Sequence, residues 1–374
     1  MAVAVDGRTV RMPLMPSTAL DSVRLRPGMY VGDTHDGSAL LCMVWEVVAN
    51  ALDQHLAGHC SEILVELSPD GAITVEDDGR GFPLHDCDGI SFPEKALTTP
   101  HGTATLDGHA PHEHVGLRGV GLFPVCALSS ALQLDVFREG KLYSQRFERG
   151  VAVSSLRELG TATRTGTRLT FTPDPLIFSN TWIDSESLSR RLREMSFLLP
   201  ALILRFVDHR EHRLHEPRGL LAYVDAIAPN HDDLVTPIFS VAGVAGKIRV
   251  EVAAKWRRAG YSVESFANIE RTTGGGTHVR GLILGLVDGL KSAAPKACAG
   301  KTLAQIEPAV SRGIAAIVCV RLDEPTFGEP TKSRLVTPEA KAAVVSCVAK
   351  AFSAFLRTES TLRKRLTAAV RAAG

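Results

Sequence analysis

The stretch VWEVVANALDQHLAGH, residues 44–59, constrains this chain more than any other. Glu46, Asn50 and Asp53 stand at i, i+4 and i+7, so all three emerge on one face of a helix. Val44, Val47, Val48, Ala51 and Leu52 supply the apolar packing around them. An apolar helix that aligns a carboxylate, an amide and a second carboxylate raises the question of what those groups serve.

At 374 residues the chain is long enough for two domains, each with its own core. The formal net charge of +1 gives no bulk reason to expect a polyanion partner, so any basic surface must be local. Seven cysteines lie scattered with no CxxC pair, which argues for reduced thiols in a cytoplasm and against a disulfide framework or a zinc site. The N-terminal MAVAVDGRTVRMPLMP has no apolar h-region, and no run approaches bilayer length. A soluble cytoplasmic chain without membrane contact is expected.

Residues 1–20, with Pro13 and Pro16, read as an extended arm. SEILVELSPDGAITVEDDG (61–79) is two β-rich runs joined by turn chemistry at PDGA, a hairpin. Residues 98–121, rich in Gly, His, Pro and Thr, form a long loop or lid. Further strands lie in ALQLDVFREGKLYSQRFERG and GTRLTFTPD, and a helix runs from about Asp184, a plausible N-cap, to Phe197. After about residue 217 the pattern restarts: a helix (GLLAYVDAIA), strands (KIRVEVAAKW, SVESFANI), a loop (TTGGGTH), an apolar helix (VRGLILGLVDGL), a strand (GIAAIVCVRL), and a helical tail from Pro338.

Taken alone, DDGRG in VEDDGRGFP (75–83) has the composition of a surface turn. It follows the helix carrying Glu46 and Asn50, however, and GLRGVG (116–121) follows it, opening an apolar LFPVCAL. Glycines at a helix start leave backbone N–H groups able to hold phosphate oxygens. In this order the three elements resemble the N-, G1- and G2-boxes of the GHKL ATPases. DSVRLRPGMYVGDTHDG (21–37), FREGK (137–141), TGTRLTFTPD (165–174), RLREMSFL (191–198), GGGTH (274–278) and PTKSRLVT (330–337) extend the likeness to the ATPase region of the gyrase B and topoisomerase IV B proteins.

The resemblance implies an α/β (α+β) fold. A GHKL (Bergerat) two-layer sandwich with a mixed sheet would span 1–216, and a smaller α/β transducer domain 217–374. It also implies Mg²⁺ and ATP as cofactors. Glu46 matches the general base that deprotonates the attacking water. Asn50 matches the Mg²⁺ ligand, and Asp77 the acceptor that reads the adenine amino group. Asp53, Gly79, Gly81 and Thr167 fall in the same binding region, with Arg80 and Pro83 at the adenine rim and Arg138 further out. Gly116, Leu117, Arg118, Gly119, Val120 and Gly121 match the phosphate loop. Lys332, in the 330–332 loop, matches a lysine that contacts the γ-phosphate and couples nucleotide state to domain rotation. A nucleotide-dependent homodimer, a DNA-cleaving topoisomerase partner and duplex DNA are the implied partners.

Several positions depart from the family pattern. Cys42 stands where a histidine orients the base, and a thiol is a weak donor. Ala49 replaces an acidic residue, and Gln54 replaces the carboxylate that pairs with the arginine matching Arg80, leaving a neutral hydrogen bond at best. Arg118 replaces a histidine, and Pro330 a glutamine. The lid shows no match to the family's lysine and tyrosine contacts, and His112 and His114 have no third ligand in register. Slow turnover is therefore expected. The alternative is a stand-alone paralogue that binds nucleotide with little or no hydrolysis and acts as a modulator, a resistance protein or a binding protein recruited to another pathway. The C-terminal stretch from Lys350 has six basic residues against one acidic, a solvated helix face or a DNA-facing one. No stretch resembles a cleavage module, so DNA cleavage by this chain alone is not expected.

Overall fold

The computed structural model describes residues 2–5, 8–11, 18–87, 89–100, 121–228, 237–329 and 331–373, the first two ranges by backbone only. These residues fall into two compact units, one of 2–100, 121–189 and 205–213, the other of 190–204 and 214–373. No helix among them is long and apolar enough to cross a membrane.

In the first unit, the arm expected to be extended holds two strands, β1 (Ala2–Val5) and β2 (Arg8–Arg11), paired antiparallel. Helix α1 (Ala19–Leu25) precedes α2 (Ser38–Leu56), the helix of the opening stretch. There follow β3 (Glu62–Leu67), β4 (Ile73–Asp77), β5 (Asp86–Cys87), β6 (Ile90–Ser91), α3 (Phe92–Thr98) and α4 (Leu122–Ala127). The unit continues with β7 (Ser129–Arg138), β8 (Lys141–Glu148), β9 (Val151–Ala152), β10 (Arg157–Thr161) and β11 (Gly166–Pro173). Helix α5 (Ser185–Leu198) begins in this unit and continues in residues of the second, and β12 (Ile203–Val207) and β13 (Glu211–Leu214) follow it in the chain. Asp184 accepts from Glu186 N at 3.1 Å and so caps α5 as its position suggests.

The main sheet runs β10-β8-β7-β11-β4-β3-β12-β13, with β9 paired on β8. Every pairing from β10 to β3 is antiparallel. On β4, period-two alternation buries Ile73, Val75 and Asp77 and turns Thr74 and Glu76 to the other face. The register carries this across the sheet: Ile63, Asp77, Thr167 and Val136 form one row, and Val65, Val75, Leu169 and Leu134 another. On the opposite face Glu76 pairs with Arg164 and Arg168, and Arg164 lies 3.7 Å over the Phe137 ring.

Helix α2 packs on this sheet through Leu40, Met43, Val44, Val47, Val48, Ala51 and Leu52, all buried. Each of the larger of these side chains contributes about 1.5–3 kcal/mol relative to exposure. Its first turn has no side-chain cap from Gly37; instead Asp36 accepts from Ser38 N at 2.8 Å.

The second unit contains α6 (Leu220–Ile227), β14 (Phe239–Ala245), β15 (Ile248–Trp256), β16 (Ser262–Ala267), β17 (Glu270–Arg271) and α7 (Thr277–Ala293). Short α8 (Pro295–Cys298), α9 (Leu303–Ser311), β18 (Ile314–Arg321), α10 (Pro338–Thr358) and α11 (Ser360–Ala372) complete it. Its mixed sheet, β14-β15-β18-β16-β17, has β16 parallel to β18 and its other pairs antiparallel. Central β18 is buried almost throughout, as its unbroken apolar run requires. Gly281, Gly285 and Gly289 recur at i, i+4 and i+8 on α7, and a Cβ on Gly285 would lie 2.8 Å from Val348 Cβ of α10. That stripe of missing side chains lets α7 and α10 approach closely. Trp256 is buried, donates to Val310 O at 2.7 Å and stacks on Phe352 at 5.3 Å.

Candidate active site

Along α2 the half-buried residues include Cys42, Glu46, Asn50, Asp53 and Gln54, while ten others are buried. The first four fall on one stripe, so packing buries the apolar faces and leaves a polar edge. The residue after Asp53, Gln54, packs beside the β4 turn: a Cβ on Gly79 would lie 3.1 Å from Gln54 Cβ and 2.7 Å from Asp77 Oδ1. The helix stripe and the carboxylate at the end of β4 thus belong to one local structure.

Asp77 is 5 % exposed, and its register partner Thr167 is 8 % exposed. The Gly79 amide donates to Asp77 Oδ1 at 2.8 Å, which fixes the carboxylate and commits that N–H within the turn. Gly81 turns the chain at φ +73°, and a Cβ there would sit 2.8 Å from Phe137 O and 2.9 Å from Gly166 O. Arg138 Nη1 donates to Gly81 O at 2.9 Å, so this arginine braces the turn's backbone. Arg80 and Pro83 are half-buried beside it. Asp78, the motif's other aspartate, is taken up elsewhere: it accepts from Ser61 N at 2.7 Å and Glu62 N at 2.9 Å, and from the Ser61 hydroxyl.

The neutral bond expected from Gln54 to Arg80 is not made through the amide oxygen, because Gln54 Oε1 is buried with no hydrogen-bond partner. Two close approaches have no signal in the sequence. A Cβ on Gly121, at the start of α4, would collide with Glu46 Oε2. A Cβ on Gly166 would collide with Asp77 O. Of the phosphate loop, Gly116, Leu117, Arg118, Gly119 and Val120 lie outside the described residues, as do Pro330, His112, His114 and lid residues 101–120. Among the described residues no group of three His, Cys, Asp or Glu could hold a metal, and all seven cysteines are free thiols.

In the second unit, Lys332 takes a left-handed φ of +56°, and its amide donates to Glu329 O at 3.0 Å. Its Nζ lies 3.7 Å from Glu270 Oε1. The TTGGGTH loop braces this segment: Gly274 N donates to Ser333 O at 2.8 Å, Leu335 N to Gly275 O at 3.0 Å, and Thr277 N to Leu335 O at 2.9 Å. Beneath it, buried His278 meets Thr272 Oγ1 at 3.1 Å, and burial pushes its imidazole down to about 4, so it is neutral near pH 7.

Burial pushes the Asp77 carboxyl up to about 7, against the opposing pull of the Gly79 and Thr167 backbone hydrogen bonds. The folded chain then holds a proton that the unfolded chain has already released in the ordinary carboxylate range. This contribution to stability is full at low pH and is lost as pH rises through about 7. Asp77→Asn cannot ionise, so its denaturation midpoint should fall less than that of the parent between pH 5 and 8. Each unit of displacement corresponds to about 1.4 kcal/mol. Identical pH profiles for the two proteins would show that Asp77 does not carry this proton.

Comparison with known proteins identifies the family. The family profile "Histidine kinase-, DNA gyrase B-, and HSP90-like ATPase" matches residues 35–176, and the profile "DNA gyrase B" matches residues 219–373. The DNA gyrase B protein of Caulobacter vibrioides is 36% identical over 355 residues, covering 89% of this chain and 44% of that protein. The DNA topoisomerase 4 B protein of Bacillus subtilis is 36% identical over 351 residues, covering 90% of this chain and 53% of that protein. The chain spans about half the length of these relatives. The 43K ATPase domain of Thermus thermophilus gyrase B, solved in complex with an aminocoumarin, superposes with a TM-score of 0.81 at 33% identity, covering 95% of this chain and 94% of that one. The chain belongs to the gyrase B family of GHKL ATPases.

Proposed function

We propose that this chain is an ATP-operated clamp of the gyrase B kind: it binds Mg²⁺ and ATP in its first unit and turns ATP over slowly. The carrying observation is the buried Asp77 carboxylate set beside the polar stripe of α2 that carries Glu46 and Asn50.

An ionised Asp77 presents an acceptor to the amino group of adenine, where guanine would offer a carbonyl. Thr167, its cross-strand partner, adds a hydroxyl in the same row. Gly81 keeps the wall beside them free of a side chain. The oxygens of Asn50 and Glu46 suit a hard cation, and Mg²⁺ bound through few protein groups plus phosphate and water needs no protein cage. Asn50 would hold the ion, which when bound neutralises charge on the phosphates. Glu46 orients a water and takes its proton during in-line attack. Gly121 lies against the Glu46 carboxylate, and only a residue without Cβ tolerates that position. Cys42, one turn before Glu46, orients the base less well than a histidine would. That difference is worth about one to three orders of magnitude in rate.

The relatives are the B components of DNA gyrase and of DNA topoisomerase 4. By extension we assign this chain a nucleotide-dependent homodimer, a DNA-cleaving topoisomerase partner and duplex DNA as its working partners. The boundary near residue 217 would separate the ATP-binding and transducer domains. Lys332 would pair with the γ-phosphate, so that its contact exists only before hydrolysis.

Steady-state ATP turnover measured over a range of protein concentrations should rise faster than linearly, as a dimerising clamp requires, and vanish in Glu46→Ala. Turnover that survives in the variant would remove Glu46 from the role of base. Lys332→Ala should leave ADP affinity unchanged while weakening a non-hydrolysable ATP analogue about tenfold or more, the range for a charge-assisted contact. Equal losses for both nucleotides would contradict a γ-phosphate contact.

A further inference from the structure

The ammonium of Lys332 already has an anion. Its Nζ lies 3.7 Å from Glu270 Oε1, and among the described residues no other carboxylate comes within ion-pair distance of it. The second oxygen of Glu270 lies 3.9 Å from Arg191 Nη2 on α5. The Lys332 and Glu270 side chains are 35% and 22% exposed, so salt screens this pair less than one in open water.

The backbone aims both groups. Glu270 opens β17 opposite Ala267 of β16, across a two-residue turn in which Asn268 and Ile269 take φ +49° and +64°. Asn268 fixes that turn on the residue after β18: its Nδ2 donates to Leu322 O at 2.7 Å, and Leu322 N donates to its Oδ1 at 2.8 Å. The next residue, Arg271, is held by Glu194, Glu264 and the Tyr223 hydroxyl. Across the pair, Glu329 pins the left-handed Lys332: its carbonyl takes the Lys332 amide, and its carboxylate takes the Ser333 hydroxyl at 2.7 Å.

An ammonium paired with a carboxylate has less charge to offer a phosphate. A triphosphate that reaches Lys332 either draws it away from Glu270 or brings a second anion up to Glu270. Both cost free energy that a neutral side chain at 270 would not impose. When Lys332 leaves, Glu270 keeps Arg191, so the exchange strands no half-buried carboxylate.

We propose that Glu270 is a positioning residue for Lys332: it holds the ammonium in the nucleotide-free chain and competes with the γ-phosphate for it. The inference rests on the reading of Lys332 as the γ-phosphate contact. Glu270 thereby sets how strongly the chain distinguishes a triphosphate from a diphosphate.

The test is calorimetric titration of the full chain, with Mg²⁺, by ADP and by the β,γ-imido analogue of ATP. Glu270→Gln keeps the size of the side chain and removes its charge. It should bind the analogue about two- to fivefold more tightly than the parent, the range for a partly exposed ion pair, with ADP affinity unchanged. Glu270→Asp, which keeps the charge on the same strand, should stay closer to the parent. In a Lys332→Ala background, Glu270→Gln should have no effect on either nucleotide. An analogue affinity that does not rise in Glu270→Gln, an equal rise in the Lys332→Ala background, or an equal rise in Glu270→Asp would overturn the proposal. If Lys332→Ala weakens the analogue while Glu270→Gln leaves it unchanged, Lys332 keeps its role and Glu270 loses this one. If Lys332→Ala weakens neither nucleotide, the γ-phosphate reading falls and the inference falls with it.

Discussion

The antiparallel register of β4 against β11 and β3 is the constraint on which the candidate site depends. It places Asp77 in phase with Ile73 and Val75, so a carboxylate occupies a position that the strand's alternation reserves for the core. A slip of one residue would send Asp77 to the opposite face, among Arg164 and Arg168, and bring Glu76 inward. The Ile63–Asp77–Thr167–Val136 row therefore combines two polar groups with two apolar neighbours, and burial there raises the carboxyl to about 7, where its ionised form is still populated at neutral pH. A ligand that donates hydrogen bonds there satisfies a group the fold itself leaves poorly solvated.

Around this row, close contact does most of the positioning. Gly81 and Gly166 admit backbone where a side chain would strike a carbonyl, and Gly121 admits the Glu46 carboxylate. The second unit uses the same device: a Cβ on Gly276 would collide with Leu335 O, so the loop carrying Lys332 rests directly on the glycine loop before α7. In both units the glycine-rich motifs act as clearances for neighbouring backbone or side chains.

Much of this is legible in the sequence because it is local. The 3.6-residue period of 44–59 is enough to place Glu46, Asn50 and Asp53 on one stripe, and PDGA between two β-rich runs is enough for the β3–β4 hairpin. Cross-strand register and long-range contact are not local, and there the sequence is a partial guide. Asp78 looks equivalent to Asp77 in DDGRG, yet the one-residue phase difference sends it to the Ser61 and Glu62 amides. Gln54 reads as a partner for Arg80, whereas its amide oxygen ends without a partner and its stem packs on Gly79. The meeting of Gly121 with Glu46 joins residues far apart in the chain, and no spacing rule reports it.

The most direct measurement is a calorimetric titration of the chain with ATP and with GTP, each with Mg²⁺, beside the same titrations of Asp77→Asn. The expected result is binding of ATP alone by the parent chain and of neither nucleotide by the variant. Equal affinity for the two nucleotides, or ATP binding unchanged in Asp77→Asn, would contradict the placement of adenine at the end of β4.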